Sequence, residues 1–260
     1  MANSSSGESL VQRLVRVLHA FDDEHPELTV SDLAVRAGLS VSTAHRLAGS
    51  MTEEGLLSRT PDGRYRIGLV LWELGQRASS FQEFGQVALP FMEAVHISQR
   101  QNTSLSILDE DEGTIIYLER LVSQDVHTDL TKVARRLPAL STAPGLAILA
   151  FSPQDVRERI LAGPWDRYTR AWGVDVPELR RRLERTRAEG YVHLPDVTVR
   201  GSAGTAAPVF GPGGRVLGAL SIVAATDQVN LDVQLPVLRA AARGLSRQMG
   251  SRGTFPFNGK

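Results

Sequence analysis

The 260-residue chain contains no cysteine. That excludes disulfides, thiolate metal sites and a thiol nucleophile, and it fits a reducing compartment. Charge of one sign is also missing. Twenty-nine Lys and Arg balance 29 Asp and Glu, so the formal net charge is zero and a uniformly basic, histone-like coat is excluded. No apolar run approaches the roughly 18 residues of a membrane span, and Met1 to Glu8 has neither a basic segment nor an apolar stretch. Neither a signal peptide nor a membrane partner is therefore expected, and the cytoplasm is the expected location. Enzyme signatures are absent as well. The six histidines (19, 25, 45, 96, 127 and 193) form no HExxH and no i, i+4 pair, and there is no GxSxG or P-loop ending in Lys-Ser/Thr. No catalytic residue, metal ligand or cofactor is expected. What is present is ordinary globular composition, 42% hydrophobic and 22% charged. At about 150 residues per domain this length allows one large or two ordinary domains. There is no internal repeat or low-complexity tract.

The first 67 residues read as one helical unit with a hairpin. Ser5-Ser6-Gly7-Glu8 has capping-box spacing, and Leu10, Leu14, Val17, Leu18 and Phe21 then recur at helical intervals. Asp22 to Pro26 stops that helix. Thr29-Val30-Ser31-Asp32 repeats the cap signal before Leu33, Ala34 and Ala37. Gly38 closes this second helix, because glycine takes the left-handed conformation without penalty. Ser40 caps a third helix with the stripe Ala44, Leu47, Ala48 and Met51, ending at Gly55. Gly38 and Leu39 are all that lie between one helix and the next cap, which is helix-turn-helix spacing. Leu56 to Arg59, the turn Thr60-Pro61-Asp62-Gly63, and Arg64 to Ile67 then predict a β-hairpin, or wing.

Such a third helix enters the major groove of double-stranded DNA. Its outward positions Ser42, Thr43, His45 and Arg46 suit phosphate oxygens and base acceptors. Arg64, beside the wing tip, and Arg59 or Arg66 reach toward phosphates or the minor groove. The competing reading is a winged helix used only for protein contacts. Electrostatics argue for two copies. Residues 1–66 hold seven Arg and nine acids, while 40–66 hold four Arg and three acids. Binding strength scales with phosphates neutralised, so one copy binds weakly and a dimer reading two half-sites is the natural remedy.

Residues 68–82 read as a linker helix, with Leu69, Leu71, Leu74 and Ala78 as its stripe and Ser79-Ser80 marking a boundary. A second unit spans 83–250. Helices are predicted over 85–101, 143–151, 153–162, 176–189 and 231–249. Strands are predicted over 105–108, 114–119, 204–210 and 216–224, and residues 251–260 read as a disordered tail. The acidic run Asp109 to Glu112 reads as a solvated turn rather than a cation site. Gly211-Pro212-Gly213-Gly214 lies between two strands and reads as a hairpin rather than a phosphate loop. Trp165, Tyr168 and Trp172 read as a small satellite core in preference to a ligand cage. Leu137 to Gly145 opens into the helix from Leu146, and small residues at a helix N-terminus offer unpaired amides to an anion.

Taken in order, these segments resemble the IclR family of bacterial transcriptional regulators over about residues 8–249. The resemblance is carried by Leu28 to Ala34, Gly38 to Leu47, Glu53-Glu54-Gly55-Leu56-Leu57 and Gly63 to Gly68 in the first unit. In the second it is carried by Ser141 to Ala147, Gly190-Tyr191, Ala206 to Phe210 and Ala219 to Ile222. It implies an α+β fold: an N-terminal winged helix-turn-helix, a linker helix and a C-terminal GAF-like α/β effector-binding domain. It further implies a homodimer through the N-terminal unit, often doubled to a homotetramer, and an organic or aromatic acid that modulates operator binding. Ser42, Thr43 and Arg46 fall on the recognition-helix positions. Leu140, Thr142, Ala143, Gly204, Ser221 and Val223 fall near positions that line the family's pocket, and Asp196 stands in the stretch before the following strand. Val41 replaces a frequent Lys or Arg, so one phosphate or base contact of the family is not expected here. Leu146 replaces a common Lys and Gly204-Thr205 a frequent Cys-Ile type pair, so the pocket's polar anchor is expected to differ. The alternative function is an enzyme acting on a small acid through the second unit, with the winged helix as accessory; a nucleophile–base pair or metal cluster, which that reading needs, is missing.

Overall fold

Helix α1 (Leu10–His19) starts at Ser9, whose hydroxyl accepts from the Gln12 amide while the Gln12 side chain accepts from the Ser9 amide. The capping box thus sits four residues later than the Ser5 to Glu8 spacing indicated. Glu8 instead accepts from Arg16 at 2.9 Å, and Ser5 lies outside the described residues. The computed structural model describes residues 7–22, 24–77, 79–123, 133–164 and 175–251. The aromatic trio Trp165, Tyr168 and Trp172 and the tail 252–260 lie outside them.

The chain divides into two units, Met1–Ser79 and Ser80–Lys260. In the first, α1 is followed by β1 (Glu27–Leu28), α2 (Val30–Ala37), α3 (Val41–Glu53), β2 (Leu57–Arg59) and β3 (Tyr65–Ile67). Thr29 caps α2 and Ser40 caps α3. Gly38 sits at φ +62° in the turn between them, where a side chain would be strained. Val17, Leu33, Ala37, Leu47, Met51, Leu57 and Tyr65 close the core. β3 pairs with both β2 and β1, giving a three-stranded antiparallel wing sheet in the order β1-β3-β2. The two-residue strand β1 was not foreseen, being too short for a period-two pattern.

The expected single linker helix is two helices. α4 (Leu69–Gln76) ends at Arg77, and α5 (Ser79–Gln99) begins earlier than predicted. α5 thus runs through the expected boundary at 82–83, and its buried Phe84, Ala88, Met92 and Val95 recur at helical spacing.

In the second unit α5 leads into β4 (Asn102–Asp109), β5 (Thr114–Leu121), β6 (Arg136–Pro138) and a 3-10 turn at Ala139–Ser141. Then come α6 (Ala143–Leu149), α7 (Gln154–Ala162), α8 (Val176–Glu189), β7 (Val192–Pro195), β8 (Ser202–Phe210), β9 (Val216–Ala225) and α9 (Leu231–Gln248). The six strands form one antiparallel sheet in the order β6-β5-β4-β9-β8-β7. Side chains alternate across it. Leu105, Ala207, Val209, Leu220 and Ile222 pack on α5 and α9. Ile115, Tyr117, Val192, Leu194, Ala206 and Ala219 pack on α6, α7 and α8. This helix–sheet–helix layering is the α+β architecture expected, with β6, β7 and the polar start of β4 added. At the acidic turn Asp109 accepts from Arg136 at 2.5 Å and from the amides of Asp111 and Glu112. The Arg136 hydrogen bond foremost, helped by those amides and the guanidinium charge, holds the Asp109 carboxyl below its ordinary range.

Candidate DNA-reading surface and effector face

Helix α3 buries Ala44, Leu47, Ala48 and Met51, which forces the opposite stripe outward. Ser42, His45 and Arg46 are exposed and Thr43 is half-buried. Ser40 organises the helix start. Its hydroxyl accepts from the Thr43 amide at 3.3 Å, donates to Thr43 Oγ1 at 2.8 Å and lies 3.2 Å from Ser42 Oγ. Ser42, Thr43, His45 and Arg46 are thus brought to the first two turns of one exposed helix face.

Arg64 is placed differently. Its Nε donates to Asp62 at 3.0 Å, and it lines a cleft of about 600 Å³ with Glu27, Asp32 and Arg36. Arg59 donates to Tyr65 Oη at 2.5 Å, with its guanidinium 4.8 Å from the Tyr65 ring centre, and Arg66 Nε donates to Ser58 Oγ at 3.1 Å. The wing arginines are therefore held by wing residues, whereas Arg46 and His45 have no side-chain hydrogen bond or ion pair among the described residues.

The residues expected to line an effector site lie where α6 crosses β8 and β9. Thr142 caps α6 by accepting from the Gly145 amide at 3.2 Å, and every residue of α6 is buried. One of the amides expected to await an anion is therefore already paired. A Cβ on Gly204 would lie 3.2 Å from Ala143 Cβ, so this face of β8 looks at the start of α6. Gly204 pairs with Val223, and Ser221 faces the same way two residues earlier. Thr142, Ala143, Gly204, Ser221 and Val223 are thus brought together. Leu140 is buried just before α6 and also lines a cleft of about 280 Å³ beside the acidic turn. Asp196 is exposed, in the loop between β7 and β8. Its carboxylate accepts from the Gly201 amide at 2.6 Å, which ties that loop closed. The same loop reaches the start of α6 through Thr198, which donates to the Ser141 carbonyl at 2.8 Å.

Sequence reasoning missed the polar contribution of β4. Ser104 Oγ lies 2.9 Å from Ser221 Oγ, which sets Asn102, Ser104 and Ser106 on the sheet face that carries Ser221 and Val223, all three of them buried. Tyr117 stands beside Ser106 across the β4–β5 pair. Burial pushes its phenol well up, only partly offset by the charges of Arg120 and Arg135. The missed signal was period two: Asn102, Ser104 and Ser106 alternate with Thr103, Leu105 and Ile107.

Residues 10–61 match the IclR helix-turn-helix domain, and residues 76–247 match the bacterial transcriptional regulator IclR C-terminal domain. The chain belongs to the IclR family.

Among curated IclR relatives, the HTH-type transcriptional regulator XynR of Escherichia coli is 29% identical over 246 residues, covering 92% of this chain and 96% of its own. The glycerol operon regulatory protein of Streptomyces coelicolor is 27% identical over 249 residues, 93% of this chain and 96% of its own. Among solved structures, an IclR homolog from Microbacterium hydrocarbonoxydans, complexed with 4-hydroxybenzoate, is 37% identical with a TM-score of 0.84. The match covers 93% of this chain and 99% of that one. As an IclR regulator the chain binds DNA, and its partners are an operator and a small-molecule effector. Among the described residues no group of three or more His, Asp or Glu is placed to hold a metal, and no helix is long and apolar enough to cross a membrane.

Proposed function

We propose that this IclR regulator reads a near-palindromic operator as a cytoplasmic homodimer and responds to a small organic or aromatic acid without turning it over. The observation that carries the DNA reading is the exposed α3 face, where Arg46 and His45 stand unengaged beside Ser42 and Thr43. In this reading Arg46 grips a guanine edge or a phosphate, the hydroxyls position the helix, and Arg64 adds a backbone contact from the wing. The dimer reading is supported by apolar side chains left uncovered within the first unit: Leu10, Val11 and Val15 on α1, and Leu69, Trp72 and Leu74 on α4. The acid is proposed to sit at the α6 end of the sheet, with Leu140, Thr142, Ala143, Gly204, Ser221 and Val223 around it and Asp196 holding the adjoining loop. The ligand of the Microbacterium homolog, itself an aromatic acid, supports that chemical class. A coupling of roughly 1–3 kcal/mol between the two sites changes operator affinity about 5–150-fold.

Selecting bound duplexes from a random pool at physiological salt tests this reading. Enrichment of a near-palindrome with half-sites about one helical turn apart is the expected result. A pool that stays random, with and without small carboxylates, overturns it.

A further inference from the structure

Helix α3 leaves one large apolar side chain outside the core of its unit. Val41, its first residue, is 52% exposed. The helix's other apolar side chains, Ala44, Leu47, Ala48 and Met51, are buried. Exposed Ser42 follows Val41 directly, and exposed His45 stands one turn on along the same flank, since residues four apart share a helix face. The valine therefore belongs to the row of side chains offered to DNA, at the end of the helix whose first residues meet base edges.

A hydrocarbon finds few partners there. Phosphates and sugars are polar, and the donors and acceptors of the base edges suit Ser42, Thr43, His45 and Arg46. Val41 offers neither a donor nor an acceptor. The major groove displays one apolar group, the C5-methyl of thymine. A β-branched side chain on a helix also keeps largely to one χ1 rotamer. Val41 thus presents its two methyls before DNA arrives, and contact costs little side-chain freedom. Val35 is no equivalent although it is 81% exposed, because it lies on α2, the helix that crosses the sugar–phosphate backbone.

We infer that Val41 selects thymine, packing on its C5-methyl at one position of each half-site. This rests on the operator reading proposed above. Deoxyuridine tests it, because that nucleotide pairs as thymidine does and lacks only the methyl. Each thymine of the operator selected from the random pool is replaced in turn, in both half-sites. Fluorescence anisotropy then measures the affinity of the full chain as wild type, Val41→Ser and Val35→Ser. At one thymine, wild type is expected to lose roughly 3- to 5-fold per half-site, the worth of about one buried methyl. The loss with both half-sites changed is then roughly 10- to 25-fold. Val41→Ser should bind thymine and deoxyuridine alike at that position and respond as wild type elsewhere. Val35→Ser should behave as wild type throughout. Wild type that tolerates deoxyuridine at every thymine overturns the inference, and so does a methyl preference that survives in Val41→Ser. In both cases the operator reading stands. A wild-type chain that enriches no duplex overturns the operator reading, and the inference with it. Equal thermal midpoints of Val41→Ser and wild type confirm that the variant is folded.

Discussion

Ser40 and Thr43 share two hydrogen bonds at the start of the recognition helix. The Ser40 hydroxyl accepts from the Thr43 amide at 3.3 Å and donates to Thr43 Oγ1 at 2.8 Å. One side chain therefore both caps α3 and orients a side chain on its exposed face. Replacing it should cost stability and operator affinity together. Ser40→Ala is expected to lower stability by about 1 kcal/mol, the usual worth of a cap, read as a shift in the urea midpoint. Ser40→Asp should restore the midpoint, since aspartate caps as well, yet bind the operator more weakly because it adds a negative charge beside the phosphates.

Arg46 offers the complementary case. It is exposed and has no ion pair among the described residues, so folding gains nothing measurable from its charge. Arg46→Ala should leave the thermal midpoint unchanged and cost about 1–3 kcal/mol of specific operator binding. A mobility-shift titration that finds wild-type affinity removes Arg46 from the DNA surface.

Gly145 is fixed by close backbone approach. A Cβ there would lie 2.2 Å from the Ala139 carbonyl oxygen and 2.5 Å from its Cα. Because backbone cannot swing aside, Gly145→Ala should destabilise at or above the upper end of the 1–3 kcal/mol typical of overpacking. Gly75→Ala in α4 is the control, since nothing lies within 4 Å of its Cβ. It should stabilise by up to about 1 kcal/mol through helix propensity. Equal effects of the two would refute this account of Gly145.

His193 is half-buried on the α9 side of the sheet, with Nδ1 3.0 Å from Thr205 Oγ1. Burial lowers its pKa from the ordinary 6.5. Above that value the imidazole is neutral in both folded and unfolded chains, and its contribution is fully present. Below it the unfolded chain takes up the proton first, so stability falls until the pH passes the folded value. The urea midpoint should therefore drop between about pH 7.5 and about pH 5.5, and His193→Gln should drop less.

Trp72 is 61% exposed within the first unit. Trp72→Glu should shift sedimentation from dimer toward monomer and weaken operator binding, with the circular dichroism spectrum unchanged. A dimer that survives the change would take α4 out of the interface.

Legibility followed the range of the forces involved. The α2–α3 turn could be read directly because Gly38 and Ser40 act on their nearest neighbours. Helix α8 was predicted over the residues it occupies, since Leu179 and Leu183 mark its buried stripe and Gly190 ends it. The start of β4 was not found: Asn102, Thr103 and Ser104 look like loop residues alone, and only pairing with β5 and β9 makes them a central strand. The proposed effector positions Gly204, Ser221 and Val223 rest on family resemblance, because contact across a sheet leaves no local trace. Asn102, Ser104 and Ser106 carry a period-two pattern, but polar residues alternating along a strand read as a solvated face until the fold buries them.

Ser104 and Ser221 are 117 residues apart in sequence, yet β4 and β9 are adjacent strands at the middle of the sheet. The DNA-reading unit, by contrast, is complete within the first 79 residues. At about 5–20 residues per second, β9 leaves the ribosome roughly 6–23 s after β4. Long-range pairing of this kind also folds slowly. A nascent chain thus holds a finished winged helix before the strands of the proposed effector site can pair, and translation halted ahead of Val216 leaves the DNA-binding unit without that site.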